Sequence, residues 1–133
     1  MRNPAFYLAT GLPRREEAQW LASELRARGW QHTYDWAAHG SMQAHPDQWS
    51  RVASAEMVGV RTCKVLLALL PGGFGTHAEI GAAIALGKQV VLVYPGELEE
   101  LRGAAGHTCI FYFHPAVHHA RTIDEAIALV EAW

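Results

Sequence analysis

The chain has 133 residues, of which 50% are hydrophobic and 18% are charged, and its formal net charge at pH 7 is −2. This length and apolar content are typical of one packed domain and exclude intrinsic disorder, so we expect a single domain over residues 1–133. The weak net charge gives no electrostatic footprint for polymeric nucleic acid or an anionic membrane, which favours a small-molecule ligand.

The cysteines and the longest apolar run indicate the cellular setting. Cys63 and Cys109 are too few for a disulfide framework, and both fall in segments that we predict to be buried strands. The apolar run over residues 65–70 is much shorter than the about 20 residues of a membrane-spanning helix. The N-terminus lacks the charged-then-apolar pattern of a secretory signal. We therefore expect a cytoplasmic protein.

Apolar segments and helical periodicity alternate along the chain. Pro13 and Pro46 are placed to open helices, and Gly29 and Gly87 are placed to end them. Buried strands are predicted at residues 5–9, 31–34, 63–70, 89–94 and 109–113. Helices are predicted from residue 13 up to Gly29, over 46–60, from the glycine-rich loop up to Gly87 and over 123–130, with a short helical segment at 98–102.

Strands that are apolar on both faces and alternate with helices predict a parallel sheet covered on both sides. The expected fold class is α/β, a small doubly wound parallel five-stranded sheet of flavodoxin-like or Rossmann-like type in the order 2-1-3-4-5. The switch point then lies between the first and third strands, so the loops at Thr10 and Gly72 share one crevice. This placement makes neighbours of four residues that are distant in sequence: Tyr7, Arg14, Glu56 and Glu79.

Residues 70–79, Leu-Pro-Gly-Gly-Phe-Gly-Thr-His-Ala-Glu, join an apolar strand to a helix. Gly72, Gly73 and Gly75 have no Cβ atom, so backbone N–H groups can approach a phosphate, a carboxylate or a sugar, and the helix dipole favours negative charge there. Glu79 is expected in the first helical turn with its ionised form stabilised. A carboxylate of low pKa suits a nucleophile or an ion-pair partner.

The same segment also fits a capping box, in which Thr76 is the N-cap and Glu79 reaches back to the N–H group of the cap. Thr122 and Glu125 repeat this T-x-x-E spacing before the last predicted helix, without a preceding glycine-rich loop. Capping alone explains that second case. The glycines favour a functional role for Glu79, and the two roles are compatible.

Glu56 lies on the apolar face of the helix predicted over residues 46–60. That face also carries four apolar residues: Trp49, Val52, Ala53 and Val60. A carboxylate on an apolar stripe either curls out to solvent at the helix edge or points into a cleft that binds something. The connection before this helix, up to His45, exceeds the usual about 4–6 residues, which favours a lid or a binding loop.

Further candidates lie in the first strand or follow it. Cations are unfavourable at a helix N-terminus, so two arginines there indicate an anion that compensates them, and Arg14 and Arg15 are candidates for binding a 5′-phosphate. The alternative is a solvated, charged first turn. Tyr7 is placed either to orient Glu79 or to be an ordinary core tyrosine. Gly11, in the loop after the first strand, is a candidate for substrate binding.

Eight histidines invite a metal site, and His114, His118 and His119 cluster after the fifth predicted strand. No HExxH motif or Cys/His ligand spacing occurs, and Pro115 breaks the register within the cluster, so we expect no metal and no cofactor. A loop at the crevice rim or at a subunit boundary is the preferred interpretation of the cluster. His77 is expected to point to solvent.

These motifs resemble the nucleoside 2-deoxyribosyltransferase superfamily, which includes nucleoside 5′-monophosphate N-glycosidases. The resemblance covers nearly the whole chain. It is carried by residues 6–9, by the helix that contains Glu56, and by residues 75–88, Gly-Thr-His-Ala-Glu-Ile-Gly-Ala-Ala-Ile-Ala-Leu-Gly-Lys. The glutamate matching Glu79 is the family's nucleophile toward the anomeric carbon, so the resemblance implies a covalent glycosyl-enzyme and departure of a nucleobase.

Two positions depart from the family pattern. Many members carry an aspartate where this chain has Gly73, and the acid matching Glu56 is commonly aspartate. Residues 33–36, Thr-Tyr-Asp-Trp, resemble a sub-group of short members. There Asp35 is suited to accept a hydrogen bond from a sugar hydroxyl and Trp36 to stack on a base; the alternative is a turn aspartate beside a core tryptophan.

Two other functions compete. Residues 71–79 also fit the P-G-G-x-G-T-x-x-E motif of phosphoribohydrolases that release cytokinin-type bases from nucleotides. A nucleotide-binding module without turnover is the non-enzymatic alternative, motivated by Gly73. The superfamily resemblance further implies a nucleoside or nucleotide substrate and a homodimer or larger assembly in which a neighbour completes the pocket. Hydrolysis and transfer both remain open.

Overall fold

The structure is a computed structural model that describes residues 3–36 and 41–133. Its five strands are β1 (Ala5–Ala9), β2 (Gln31–His32), β3 (Val65–Leu69), β4 (Gln89–Val93) and β5 (Val117–Ala120). They form one sheet in the order β2-β1-β3-β4-β5, and every neighbouring pair is parallel. The predicted α/β class and the predicted order 2-1-3-4-5 are therefore confirmed.

Helices connect the strands on both sides of the sheet. They are α1 (Arg15–Ala27), α2 (Trp49–Thr62), α3 (Phe74–Ala85) and α4 (Ile123–Glu131). Pro13 and Pro46 lie in short 3-10 turns that lead into α1 and α2. Gly29 and Gly87 follow α1 and α3 with φ values of +90° and +74°, a left-handed conformation that glycine adopts without a Cβ penalty. The two boundaries at the glycines agree with the prediction, whereas the α-helices begin at Arg15 and Trp49, just after the predicted starts at Pro13 and Pro46.

The side chains of β1 alternate between two apolar layers, as the two-residue period of a strand requires. Phe6 and Leu8 face the layer that contains the buried residues of α1 and α4. Tyr7 and Ala9 face the opposite layer, with the buried residues of α2 and α3. Tyr7 is completely buried, and its ring therefore approaches the two helices that carry Glu56 and Glu79.

The prediction of the fifth strand is wrong. Residues 110–113 form a 3-10 turn in which Tyr112 is buried and the three other side chains, all apolar, are exposed. A strand beside β4 would need one face covered, and Val117–Ala120 supplies this edge strand instead, with Val90 paired to Val117. Cys109 is consequently half-buried before a turn rather than inside a strand.

The apolar face of α2 is narrower than predicted. Val52 and Val60 are buried, but Trp49 is 49% exposed and Ala53 is exposed. Trp49 is the first residue of α2, and its indole N–H donates to the carbonyl of Met42 at 2.6 Å, which holds the ring at the helix entrance. Residues 98–102 likewise contain only a single 3-10 turn, Leu98–Glu100.

The predicted binding loop that ends at His45 includes residues 37–40, which lie outside the described residues. Within the two described ranges, no helix is long and apolar enough to cross a membrane.

Candidate active site

Tyr7 and Glu79 meet between the sheet and α3. Tyr7 is delivered by β1, and its hydroxyl donates a hydrogen bond to Oε2 of Glu79. Glu79 belongs to the buried face of α3 and is only 6% exposed. Two polar groups separated by 71 intervening residues are thus paired inside the apolar layer between α2, α3 and the sheet. The proximity predicted from the strand order is present in the structure.

Burial raises the pKa of Glu79 to about 8; the hydrogen bond from Tyr7 lowers it, and the negative charge of Glu56 raises it. The predicted low pKa is therefore wrong. Helix α3 begins at Phe74, so Glu79 lies in its second turn, away from the N-terminal N–H groups that would stabilise an anion. Burial, then the charge of Glu79, also raises the pKa of Tyr7, so its phenol stays neutral.

Glu56 approaches the same pair from α2. It is half-buried, and its charge adds to the effect of burial in raising the pKa of Tyr7, Tyr34 and Glu79, which indicates that the four groups lie within electrostatic reach of one another. Of the two orientations considered for Glu56, this arrangement agrees with the cleft. We call Tyr7, Tyr34, Glu56 and Glu79 the carboxylate–tyrosine cluster.

Tyr34 was missed in the sequence. It is half-buried just after β2, next to the strand that carries Tyr7. A signal was available, because in a parallel sheet the residues after neighbouring strands meet at one edge.

The glycine-rich loop leads directly into α3. A Cβ atom at Gly72 would lie 2.5 Å from Oγ1 of Thr76, so only glycine fits there. Gly73 is the N-cap of α3 and provides no side-chain hydrogen bond, and Cβ atoms at Gly73 and Gly75 would meet open space. The backbone N–H of His77 donates to Gly73 at 3.2 Å. The N–H groups ahead of it therefore lack an intrahelical acceptor and open toward solvent.

Capping by the threonine is wrong for α3 and right for α4. Thr76 is buried at the third position of α3 and is not its N-cap. Thr122 is the N-cap of α4, and its hydroxyl oxygen accepts from the N–H of Glu125 at 3.1 Å. The carboxylate of Glu125 in turn accepts from the N–H of Arg121 at 2.7 Å.

Arg14 lies beside the glycine-rich loop, but its guanidinium serves the protein itself. Nη1 donates to the carbonyl of Leu70 at 2.7 Å and to that of Val93 at 3.2 Å, at the ends of β3 and β4. Nε and Nη2 donate to the carboxylate of Glu17. The arginines at the start of the first helix were expected to bind an anionic ligand. In the structure, two carbonyl oxygens and the carboxylate of Glu17 bind the Arg14 guanidinium. Arg15 is half-buried behind it.

Gly11, Asp35 and Trp36 lie at the carboxyl edge of β1 and β2. The indole N–H of Trp36 donates to the carbonyl of Leu8 at 2.9 Å, and the half-buried ring packs against the apolar layer that contains Tyr7. Asp35 is exposed. A Cβ atom at Gly11 would be only in ordinary contact with Pro13, so no steric requirement for glycine exists there.

His77 does not point to solvent as predicted. Its Nδ1 lies 2.7 Å from the carbonyl oxygen of Gly73 and its Nε2 lies 2.6 Å from the hydroxyl of Tyr112. His77 and Glu79 are about 200° apart around α3, so they face opposite flanks of the helix. A cavity of about 330 Å³ lies on the His77 flank, with Arg102 and Cys109 in its wall, away from Glu79.

The histidines after residue 113 are distributed along the sheet edge. His118 and His119 belong to β5; Nε2 of His118 lies 2.9 Å from the side chain of Gln89, and Nε2 of His119 lies 2.9 Å from the carbonyl oxygen of Tyr94. The predicted loop is therefore a strand at this point. No group of three or more His, Cys, Asp or Glu side chains within residues 3–36 and 41–133 is arranged to hold a metal ion.

Sequence comparison identifies the family. A family profile described as "Nucleoside 2-deoxyribosyltransferase" matches residues 6–109, well over half of the chain. The chain belongs to the nucleoside 2-deoxyribosyltransferase family. The match contains Tyr7, Glu56 and Glu79 and ends before β5 and α4. No curated protein sequence matches the chain significantly.

Solved structures agree with this family at the level of the fold. A CMP N-glycosidase from Clostridium botulinum is 21% identical, with a TM-score of 0.55, and the alignment covers 97% of this chain and 99% of that one. A conserved protein from Enterococcus faecalis V583 is 16% identical, with a TM-score of 0.75 and coverages of 98% and 99%. A 2-deoxyribosyltransferase from the psychrotolerant bacterium Bacillus psychrosaccharolyticus is 16% identical, with a TM-score of 0.65 and coverages of 92% and 89%. Family membership and fold together support nucleoside deoxyribosyl transfer or N-glycosidase activity in general.

Proposed function

We propose that this protein cleaves or exchanges the N-glycosidic bond of a nucleoside or nucleoside 5′-monophosphate, with Glu79 as the nucleophile. The observation that carries the proposal is the buried Glu79 carboxyl group held by the Tyr7 hydroxyl between the parallel sheet and α3. Ligands of doubly wound folds bind outside the carboxyl ends of the strands at a strand-order switch, which here lies between β1, the strand of Tyr7, and β3. A buried carboxyl group that is paired to a hydroxyl and faces a second acid is a catalytic candidate on physical grounds.

The proposed reaction is a double displacement at the anomeric carbon. Glu79 gives its proton to the ionised Glu56, and a Glu79 carboxylate oxygen then bonds to the anomeric carbon while the carbon–nitrogen bond breaks and its electron pair leaves with the base. Glu56 passes that proton to the departing base. Attack of water on the glycosyl-enzyme gives hydrolysis, and attack of a second base gives exchange; either releases Glu79. The hydrogen bond from Tyr7 favours the ionised carboxylate and fixes its orientation.

The open N-terminus of α3 supports a phosphorylated substrate. Gly73 and Gly75 leave the first N–H groups of the helix accessible, and the helix dipole adds favourable charge at that point. We therefore assign a 5′-phosphate to the glycine-rich loop with Gly72 and Thr76, and not to Arg14, whose guanidinium is engaged by carbonyl oxygens and Glu17.

Asp35, Trp36 and Gly11 would then contribute to the sugar and base side of the site. Asp35 is exposed at the carboxyl edge of β2, where its carboxylate can accept a hydrogen bond from a sugar hydroxyl. The Trp36 indole N–H is already bonded to Leu8 and its half-buried ring packs on the apolar layer, so a base would stack on the part of the ring that stays exposed. The phosphoribohydrolase motif at residues 71–79 supports cleavage of the same N-glycosidic bond in the same class of substrate, a nucleotide.

A homo-oligomer is part of the proposal. Phe74, one turn before His77 on α3, is 98% exposed, and Ile110 and Phe111 of the turn that contacts His77 through Tyr112 are 76% and 56% exposed. Apolar side chains collected beside a ligand site are typical of a protein interface. Light scattering after gel filtration tests this: we expect a dimer or larger species, shifted toward monomer by Phe74→Ser, and a wild-type monomer would contradict it.

A nucleotide-binding module without turnover is the second candidate, and two observations favour it. Gly73 replaces the family's acid, and the pKa of Glu79 is about 8, so most of the carboxyl group is protonated at neutral pH in the unliganded protein. Such a module would bind a nucleotide tightly without reaction, and Glu79→Gln would leave binding unchanged.

Chromatography of base release decides between the candidates. Ribo- and deoxyribonucleosides and their 5′-monophosphates are incubated with the protein, with and without a second free base, beside Glu79→Gln and the matched control Glu125→Gln in the α4 cap. Release that disappears only in Glu79→Gln supports the enzyme, and base exchange marks a transferase. Tight nucleotide binding without release in any sample overturns it in favour of the binding module.

A further inference from the structure

Gly59 lies in the last turn of α2, nearly three turns after its start, and is buried. Glycine within a helix is destabilising relative to alanine, because the free chain loses more conformational freedom. It has an ordinary helical backbone, since no positive φ occurs at this residue. The conformation of the backbone therefore gives no reason for glycine at this position.

The reason lies in the contacts of its missing side chain. A Cβ atom at Gly59 would lie 3.0 Å from both Cδ2 and Cε2 of the Tyr7 ring and 3.0 Å from Cβ of Tyr34. Carbon atoms in van der Waals contact prefer about 3.5–4.0 Å, so these neighbours would have to move. Gly59 thus marks the point where α2 comes closest to the two tyrosines of the carboxylate–tyrosine cluster.

A hydrogen bond tightens the same contact. The carbonyl oxygen of Gly59 accepts from the hydroxyl of Thr33 at 2.8 Å, and that hydroxyl also lies 3.3 Å from the carbonyl oxygen of Phe6, next to Tyr7 in β1. Thr33 therefore ties α2 to β1 at the level of the Tyr7 ring. Glu56 precedes Gly59 by three residues, about 60° away around the helix, so one helix face brings both the acid and the glycine to the cluster.

We propose that Gly59 is a positioning residue for Glu79: its lack of a side chain lets α2 pack on the edge of the Tyr7 ring and so keeps the Tyr7 hydroxyl on the Glu79 carboxyl group. A Cβ atom at this position displaces the ring and lengthens or breaks that hydrogen bond. Only the kinetic consequence of this inference rests on the proposed function. The structural consequence, a changed environment for the Glu79 carboxyl group, does not.

The first experiment titrates Glu79 by carbon NMR of glutamate-labelled protein. The hydrogen bond from Tyr7 lowers the pKa of Glu79, so we expect Gly59→Ala to raise that pKa, in the same direction as Tyr7→Phe. Gly81→Ala is the matched control, because it makes the same change in the interior of α3, where a Cβ atom meets open space. It should leave the titration of Glu79 unchanged.

The double variant Gly59→Ala/Tyr7→Phe tests whether the two residues act through one bond. If Gly59 acts through the Tyr7 hydroxyl, the second substitution adds little to the first. An unchanged titration in Gly59→Ala, or shifts that add fully in the double variant, would overturn the inference. If Gly59→Ala does not fold, Thr33→Val removes the tie to the Gly59 carbonyl and should give a smaller rise, and its absence overturns the inference equally.

Kinetics on the released base then separate this inference from the proposed function. We expect kcat of Gly59→Ala to fall about 10- to 100-fold with little change in KM, since a misplaced catalytic group affects the transition state more than binding. A wild-type protein without base release contradicts the proposed function while the NMR result still stands. Base release with an unaltered kcat in a folded Gly59→Ala protein contradicts the positioning role alone.

Discussion

Two helices of this protein begin with the same T-x-x-E spacing and use it differently. At α4, Thr122 caps the helix and Glu125 accepts from the preceding N–H at the surface. At α3, the glycines allow the helix to start at Phe74, so the threonine becomes a buried third residue and the glutamate is buried one turn further on. The N-terminus of α4 is capped by a side chain of the protein, and the N-terminus of α3 has no side-chain cap.

The difference shows that a glutamate's neighbours, not its spacing from a threonine, decide its ionisation. Glu125 stays exposed in a local hydrogen-bond pattern. Removal from water holds the pKa of Glu79 well above that of an exposed carboxyl group, although the hydrogen bond from the Tyr7 phenol lowers it. The following four predictions, in order of decreasing effect, test this contrast.

The largest effect is expected on catalysis. Glu79→Gln should reduce base release by at least about 10³-fold, because the amide cannot form the covalent glycosyl bond. Glu125→Gln should keep base release near the wild-type rate. Rates at saturating substrate measure both variants, and an equal loss in the two would show that the contrast between the helix ends is not functional.

The second effect concerns stability against pH. The pKa of Glu79 is about 8 in the folded protein and near 4.5 when unfolded, so the unfolded chain binds fewer protons between these values and stability falls as pH rises through that window. Each pKa unit corresponds to about 1.4 kcal/mol, so the loss reaches several kcal/mol. Glu79→Gln lacks this titrating group and should not lose stability in this way. Its free energy of unfolding in urea, relative to that of the wild type, should therefore increase from pH 5 to pH 8. A constant difference between pH 5 and pH 8 is the contrary result.

The third prediction separates the two threonines by substitution with serine. Thr122→Ser should change stability by only a few tenths of a kcal/mol, since serine caps as well as threonine, whereas Thr122→Ala should cost about 1 kcal/mol. Thr76→Ser should itself cost about 1 kcal/mol, because it removes a buried methyl group packed against the loop. Urea midpoints measure all three, and a harmless Thr76→Ser would identify Thr76 as a cap after all.

The smallest effect is expected from closing the open helix end. Gly73 has an extended backbone that any residue adopts, and a Cβ atom there meets open space. Gly73→Asp should therefore raise stability by a few tenths to about 1 kcal/mol through capping and the helix dipole. It should also weaken binding of nucleoside monophosphates more than that of nucleosides, and equal effects on both would remove the phosphate from the loop.

Much of the fold follows from patterns that are local in sequence. The central strands are continuous apolar runs, and Gly29 and Gly87 end the helices α1 and α3. The alternation of strands and helices was therefore predictable, and with it the strand order 2-1-3-4-5. The fifth strand was not, because residues 110–113 are more apolar than Val117–Ala120 and yet expose three of four side chains. Which segment forms the edge strand depends on its pairing with β4, and this pairing is a tertiary interaction that local sequence patterns do not determine.

The candidate site was predictable in its members more than in its chemistry. The proximity of Tyr7, Glu56 and Glu79 follows from the topology alone. The raised pKa of Glu79 depends on how deeply this side chain is buried. The hydrogen bonds of the Arg14 guanidinium depend on carbonyl oxygens at the ends of two other strands. The spacing of residues along the chain predicts neither the depth of burial of Glu79 nor the hydrogen-bond partners of Arg14.

The buried carboxyl group has a consequence for how the protein meets its substrate. At pH 7 the unliganded protein stores a proton on Glu79, and that proton must depart before the carboxylate can bond to a sugar. In the proposed reaction this proton leaves on the released base, so formation of the glycosyl-enzyme exchanges no proton with the surrounding buffer, and the heat of the step does not vary with the ionisation enthalpy of that buffer. The side chain that we propose as the nucleophile would thus also supply the proton that departs with the base.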